Sequence, residues 1–266
     1  MNNTPANNSL FLKAKGRIRT LLCETHLNPS QKNWLTRHWL ILDGSWLKIL
    51  AIVSMTIDHV AAIAIWRMPI GITPLFFIGS HPVKIYTLMR MIGRLAFPIF
   101  SFLLVEGFLH THSRKRYGLN LFLFALISEI PWNLIHNGAL LYPKQNVFFT
   151  LFLGYLGICA IEYLKHSRLR QIIALTLLLA LSFVLRADYG CSGFAFILVL
   201  YILRNNRIPQ AIIGSCILPS RWQAGLAFIP LSMYNGKRGF IKGVFAKYFF
   251  YLYYPLHLFI LYLIFR

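Results

Sequence analysis

The sequence predicts an all-α, polytopic integral membrane protein with about nine transmembrane or re-entrant helices in one bundle. Three observations carry that prediction. Of 266 residues, 57% are hydrophobic, 15% aromatic and only 13% charged, and the mean hydropathy of +0.59 is far above that of a soluble domain. The apolar runs are long and continuous, which excludes a membrane β-barrel, whose strands alternate polar and apolar residues. Finally, the charge is lopsided, with 27 Lys and Arg against 7 Asp and Glu for a net of +20. In a soluble protein such a balance suggests nucleic acid. Here the cations sit between apolar runs, where orientation and anionic headgroups account for them, and no nucleic-acid partner is expected.

Residues 1–45 form a basic segment expected on the cytoplasmic side, and residues 46–266 a multi-span membrane domain. Within the first, NNTPANN (2–8) reads as disordered. Leu10 to Leu22 interleaves Lys13, Lys15, Arg17 and Arg19 with apolar residues; it reads equally as a basic helix on the membrane surface and as a loosely ordered tail. No cleavable signal is expected, because Met1 to Asn8 is polar and the first full-length apolar run begins near Trp46.

The first span is expected at Trp46 to Trp66. Met68 to Val83 is apolar but broken by Pro and Gly, so it reads as an interfacial or re-entrant loop. The second span, Tyr86 to His112, carries Arg90, Arg94, Glu106 and Pro98, a polar load that no lipid-facing helix bears. Pro98 lacks a donor and frees the carbonyl of Arg94, so this helix is expected to line a site. Further spans follow near 119–135, 147–164, 169–186 and 190–203. The stretch 208–234 holds two short apolar pieces parted by Pro219, Ser220 and Arg221, too short for two full crossings of about 20 residues each. The last span is Phe249 to Phe265. Cys23, Cys159, Cys191 and Cys216 are widely separated, without metal-ligand spacing, and read as isolated thiols.

Lys and Arg cluster in alternate connections: residues 13–37, Arg114–Arg116, Lys165–Arg170, Arg204 with Arg207, and Lys237–Lys247. The intervening connections hold only Arg67, Lys84, Lys144, Arg186 and Arg221. The positive-inside rule then puts the N-terminus of this multi-pass protein in the cytoplasm and, with nine crossings, the C-terminus outside.

Counting at 1.5 Å per residue sets Asp58, His59, Glu129 and His257 near mid-membrane and Arg90 with Arg94 in the outer half. Asp58 with Arg94, or Glu129 with Arg90, would make structural ion pairs. Adjacent helical residues diverge by about 100°, so Asp58 is badly placed to orient the His59 ring; a carboxylate on another helix, Glu129 for one, is better placed. That these polar groups share a depth argues for a polar cavity.

TIDHVAAI (56–63), IGRLAFPIFSFLLVEGFLHT (92–111), FALISEIPWNL (124–134), NVFFTLFLG (146–154), ADYGCSGF (187–194), YNGKRG (234–239) and FYLYYPLHLFILYLI (250–264) resemble, in order, the TraX family of inner-membrane acetyltransferases associated with pilin modification. More distantly the pattern is similar to multi-span acyltransferases that carry an acyl group from cytoplasmic coenzyme A to a substrate at or beyond the opposite face. The resemblance implies an acyltransferase-like domain over 46–266, acetyl-CoA as co-substrate, and an amine acceptor such as a pilin N-terminus or another peptide, sugar or lipid amine. On that reading His59 is the first candidate for a general base, with His257 second. Arg94 would stabilise an oxyanion or neutralise Asp58, and Glu129 would complete the catalytic group. Lys237 and Arg238, with Asn235 in the same glycine-bracketed turn, would hold the coenzyme's phosphates; a purely topogenic cluster is the alternative. Two other classes fit the buried charges: a proton-coupled small-molecule transporter and a non-catalytic fibre or pilus assembly factor.

Overall fold

The structure, a computed structural model, describes residues 39–219 and 221–265; the 2–8 tail, the Leu10–Leu22 stretch, Cys23 and the basic cluster at 13–37 lie outside them. Helix α1 (Gly44–Ile63) begins two residues before the expected Trp46. Asp43 caps it: its carboxylate accepts from the backbone N–H of Ser45 at 2.8 Å and of Trp46 at 3.1 Å, satisfying donors that the first turn leaves open.

The Met68–Val83 stretch, expected as a loop, is ordered into a short helix α2 (Pro69–Ile72) and an antiparallel hairpin, β1 (Pro74–Ile78) with β2 (His81–Lys84). Its tip turns on Gly79 at φ 61°, a conformation that favours glycine. The all-α expectation thus gives way at one hairpin, whose Leu75, Phe76 and Phe77 are exposed.

The polar second span is two helices, α3 (Ile85–Gly93) and α4 (Ala96–His110), parted at Arg94 and Leu95. Pro98 falls in the first turn of α4, where its missing N–H has no intrahelical partner to lose, so the proline starts the second helix instead of kinking one long one. There follow α5 (Arg114–Asn137), α6 (Val147–Tyr163), α7 (Arg168–Val184) and α8 (Gly190–Ile202). The 208–234 region is three short helices, α9 (Arg207–Ile217), α10 (Arg221–Leu226) and α11 (Phe228–Ser232), interrupted at Pro219 as expected. The chain closes on α12 (Val244–Phe265).

Four segments are long and apolar enough to cross a membrane: Gly44–Arg67, Ile85–His110, Arg114–Asn137 and Val244–Phe265. The apolar α6 and α8 have 17 and 13 residues, or about 26 and 20 Å of helix against a hydrocarbon core of about 30 Å. By length, then, four segments of the described residues qualify as full spans, against about nine transmembrane or re-entrant helices expected.

Around the core α1 packs on α3 and α4, α5 on α6 and α12, and α6 on α8. Leu47, Ile99, Phe108, Tyr155, Ile197 and Leu258 are fully enclosed or nearly so. Phe183, Val184, Phe245 and Leu263 face outward, an arrangement that suits lipid and would be a liability in water. Cys159, Cys191 and Cys216 are free thiols.

Side-chain ties gather the basic connections at one end of the bundle. Tyr155 donates to the Arg114 carbonyl at 2.6 Å, the Arg114 guanidinium lies over the Tyr163 ring, Arg207 donates to the Leu231 carbonyl, and the N–H of Gly44 donates to the Lys237 carbonyl at 2.8 Å. The far end is closed by Arg67, which donates to the Phe265 carbonyl at 3.0 Å, and by the connections at 138–146 and 185–189.

Candidate functional site

Two histidines from opposite ends of the sequence meet near that far end. His59 leaves α1 one turn before it stops, about 22 Å along the helix from Gly44 at 1.5 Å per residue. His257 comes from α12 and is buried. Their Nδ1 and Nε2 atoms lie 3.0 Å apart, and Nδ1 of His257 lies 2.8 Å from the Tyr253 carbonyl. This chain of bonds fixes the proton order by elimination. A carbonyl only accepts, so His257 donates through Nδ1 and its neutral ring accepts at Nε2; Nδ1 of His59 must supply that proton. Nε2 of His59 then carries the lone pair. The Tyr253 ring stacks on His257, its hydroxyl lies 2.8 Å from the Thr56 hydroxyl, and Tyr254 sits edge-on to both imidazoles.

Asp58 pairs with Arg90, Nη1 to Oδ2 at 2.6 Å, not with Arg94 as the sequence suggested. The reason is the break after Gly93. Arg94 is the first residue out of α3 and leaves the helical face that carries Arg90 toward Asp58, while α3 presses so closely on α1 that a Cβ at Gly93 would overlap the Asp58 carboxylate. The other oxygen, Oδ1, is buried without a hydrogen-bond partner. Arg94 remains in the neighbourhood, close enough to interact electrostatically with Asp58 and with Tyr189.

Glu129 also departs from expectation, since it pairs with neither Arg90 nor the His59 ring. Its Oε1 accepts from both the backbone N–H, at 2.9 Å, and the side-chain amide of Asn146. Asn146 in turn caps α6 through the N–H of Phe148 and donates to the Ala125 carbonyl at 2.8 Å. Glu129 therefore holds the α5–α6 connection beside the site, and the group orienting His59 is His257. Asn133 and Trp132 pin the same connection through the carbonyls of Leu140 and Lys144, each at 2.7 Å.

Three groups escaped the sequence reading. Asp188 and Tyr189 occupy the turn between α7 and α8, inside the ADYGCSGF stretch, where nothing local marked them as site residues. Asp188 is exposed at the turn, and Arg94 and Asp58 act on it electrostatically with opposite signs. Lys48 lines a half-open, mostly apolar cavity of ≈ 160 Å³ with Met55, Phe148, Phe250 and Tyr254. Lys48, Met55 and His59 fall at i, i+7 and i+11, so the cavity follows one stripe of α1 toward the histidines. That spacing was the available signal.

The YNGKRG turn sits at the opposite end of α1 from the histidines. Asn235 forms the turn itself, its side chain accepting from the Lys237 N–H at 2.9 Å and its backbone N–H donating to the Leu42 carbonyl at 2.8 Å. Gly239, at φ 86°, leaves room for Asp43 and Ser45, and Ser45 takes the Ile241 N–H at 2.8 Å. The glycine there serves packing against the α1 cap. Lys237 and Arg238 are exposed, and Arg238 is close enough to Lys48 to interact electrostatically.

No solved structure matches the chain. It is 31% identical over 242 residues to the "Probable fimbrial assembly protein FimC, serogroup H1" of Dichelobacter nodosus, covering 80% of this chain and 91% of that protein. The family model described as "TraX protein" matches residues 43–265, nearly everything the structure describes, and the chain belongs to the TraX family.

Proposed function

We propose that this protein is a membrane-embedded N-acetyltransferase that moves an acetyl group from acetyl-CoA to an amine, with His59 as general base. The observation that carries the reading is the ordered bond chain from Tyr253 through His257 to His59, which leaves Nε2 of His59 as a lone-pair nitrogen. An acceptor ammonium gives its proton to that nitrogen, and the neutral amine attacks the thioester carbonyl. The C–N bond forms as the C–S bond breaks, the sulfur leaves as thiolate, and the thiolate takes up the second amine proton. His257 steadies the imidazolium by accepting from its Nδ1.

The donor side is supported by the cations at the basic end. Lys237, Arg238 and Lys48 suit a phosphorylated co-substrate, and the cavity from Lys48 to Tyr254 suits a slender, largely apolar arm. On this reading the basic end faces the cytoplasm and the histidines lie toward the opposite face of the inner membrane. The test is transfer of labelled acetyl from acetyl-CoA to a panel of peptide, sugar and lipid amines by purified protein. His59→Ala should lower turnover by about 10²–10⁴-fold, the usual worth of a general base, with donor binding retained. Full activity in that variant would refute the mechanism.

The name of the Dichelobacter nodosus relative favours a second reading, a non-catalytic fimbrial assembly factor. That reading expects no acetyl transfer to any amine, and fimbriation that survives His59→Ala.

A further inference from the structure

Lys48 is a cation set at the edge of a hydrocarbon slot. It stands one turn into α1 and is half-buried. Its ammonium lies over the Phe250 ring of α12, 5.5 Å from the centroid. Among the described residues the ion pairs within 4.0 Å are Arg90–Asp58 and His110–Glu106, so Lys48 is in neither. Asp43 is within electrostatic reach of it, but that carboxylate is engaged as the α1 cap by the N–H groups of Ser45 and Trp46. A lysine that serves orientation alone can send its ammonium out to the headgroups. One that stays half-buried without an ion pair marks a pathway or a bound group.

The cavity beside it is almost wholly hydrocarbon. Leu103, Leu121, Phe148 and Leu151 line it from α4, α5 and α6, and Met55 from α1. Lys48 is the one charged residue among the described residues that line it. Its volume of ≈ 160 Å³ is close to that of an apolar cavity of about 150 Å³ that takes up benzene, so it holds a chain of about six carbons. Phe250, the ring under the ammonium, is itself part of the wall. Charge and hydrocarbon therefore adjoin directly. A fatty acid has that arrangement, whereas a phospholipid sets ester groups between its phosphate and its chains.

We propose that this cavity binds a medium-chain fatty acid, its carboxylate paired with Lys48 and its tail in the slot. The inference goes beyond acetyl transfer, because the tail fills the passage proposed for the acetyl donor's arm and the two ligands exclude one another.

The test reads binding and needs no turnover. The full chain in lipid nanodiscs is irradiated with octanoate carrying a diazirine near its methyl end, and adducts are located by mass spectrometry. Adducts should fall on the cavity wall, at Met55, Leu121 or Leu151. Unlabelled octanoate should displace the probe about tenfold more effectively than octanol, as one charge-assisted contact implies. Lys48→Gln should erase that preference and Lys48→Arg keep most of it. Leu151→Trp fills the slot with Lys48 in place and should abolish the wall adducts; if it does not fold, the Lys48 variants decide. Adducts confined to outward-facing residues such as Phe183 and Leu263 would overturn the proposal. So would equal displacement by octanol in the wild type, or an undiminished preference in folded Lys48→Gln. Stronger displacement by lysophosphatidylglycerol than by octanoate would overturn the choice of a carboxylate head. Wall adducts in a protein that transfers no acetyl group would leave this inference standing and refute the catalytic one.

Discussion

His59 and His257 do different work although they are the same residue type. His257 is committed on both nitrogens, donating to the Tyr253 carbonyl and accepting from His59, so it has no lone pair left for a substrate. Truncating it removes the acceptor of the His59 Nδ1–H. We expect His257→Ala to lower acetyl transfer by about 10- to 100-fold, the worth of a hydrogen bond to a charged group, and less than His59→Ala does. His257→Gln, whose amide oxygen can accept, should recover part of the loss. Steady-state turnover of the three variants decides, and a His59→Ala enzyme faster than His257→Ala would exchange the two roles. Depth along the spans was enough to group these histidines with Asp58 and the two arginines from the sequence. The partners were not legible, because a pairing depends on how each helix is rotated and on where α3 stops. Neither has a local signal, which is why Asp58 was matched with Arg94 and Glu129 with the wrong neighbours.

Among the elements, the break between α3 and α4 does most to shape the site. Sequence periodicity ran straight through it, since the residues on both sides are apolar, and Pro98 marked only the freed carbonyl of Arg94, not the end of a helix there. The decisive feature is tertiary. Gly93 lets α3 close on α1 until the Asp58 carboxylate fills the space that a Cβ would take, and Arg90 then meets Asp58 at 2.6 Å. Gly93→Ala should therefore push the helices apart and cost about 1–3 kcal/mol, the usual penalty for overpacking. The measurement is the thermal midpoint of the purified protein in detergent, read together with acetyl transfer. Both should fall. An unchanged midpoint and activity would mean that α1 and α3 are not packed as closely as described. The hairpin β1–β2 was missed for a simpler reason: Pro and Gly mark a turn in Met68–Val83 but cannot tell a hairpin from a re-entrant loop.

For the whole molecule, charge was the most legible property and length the least. The alternation of basic connections implied that Arg114–Arg116, Lys165–Arg170, Arg204 with Arg207 and Lys237–Lys247 share one side, and the ties among Arg114, Tyr163, Arg207, Leu231, Gly44 and Lys237 gather them at one end. By length the count of about nine transmembrane or re-entrant helices is not reached, because apolar runs such as 147–164 and 190–203 fold as helices of 17 and 13 residues. The positive-inside rule would put the basic end in the cytoplasm, and on the acetyltransferase reading that would set the direction of transfer, since the cavity runs from Lys48 to Tyr254. The expectation can be checked with single cysteines in a variant whose native cysteines are replaced. In spheroplasts a membrane-impermeant maleimide should modify His81→Cys, on the exposed hairpin strand at the far end. Lys115→Cys and Lys242→Cys should react only after the membrane is permeabilised. The reverse pattern would place the histidine pair on the cytoplasmic side, where acetyl-CoA would reach it directly and the passage along α1 would have no donor to carry.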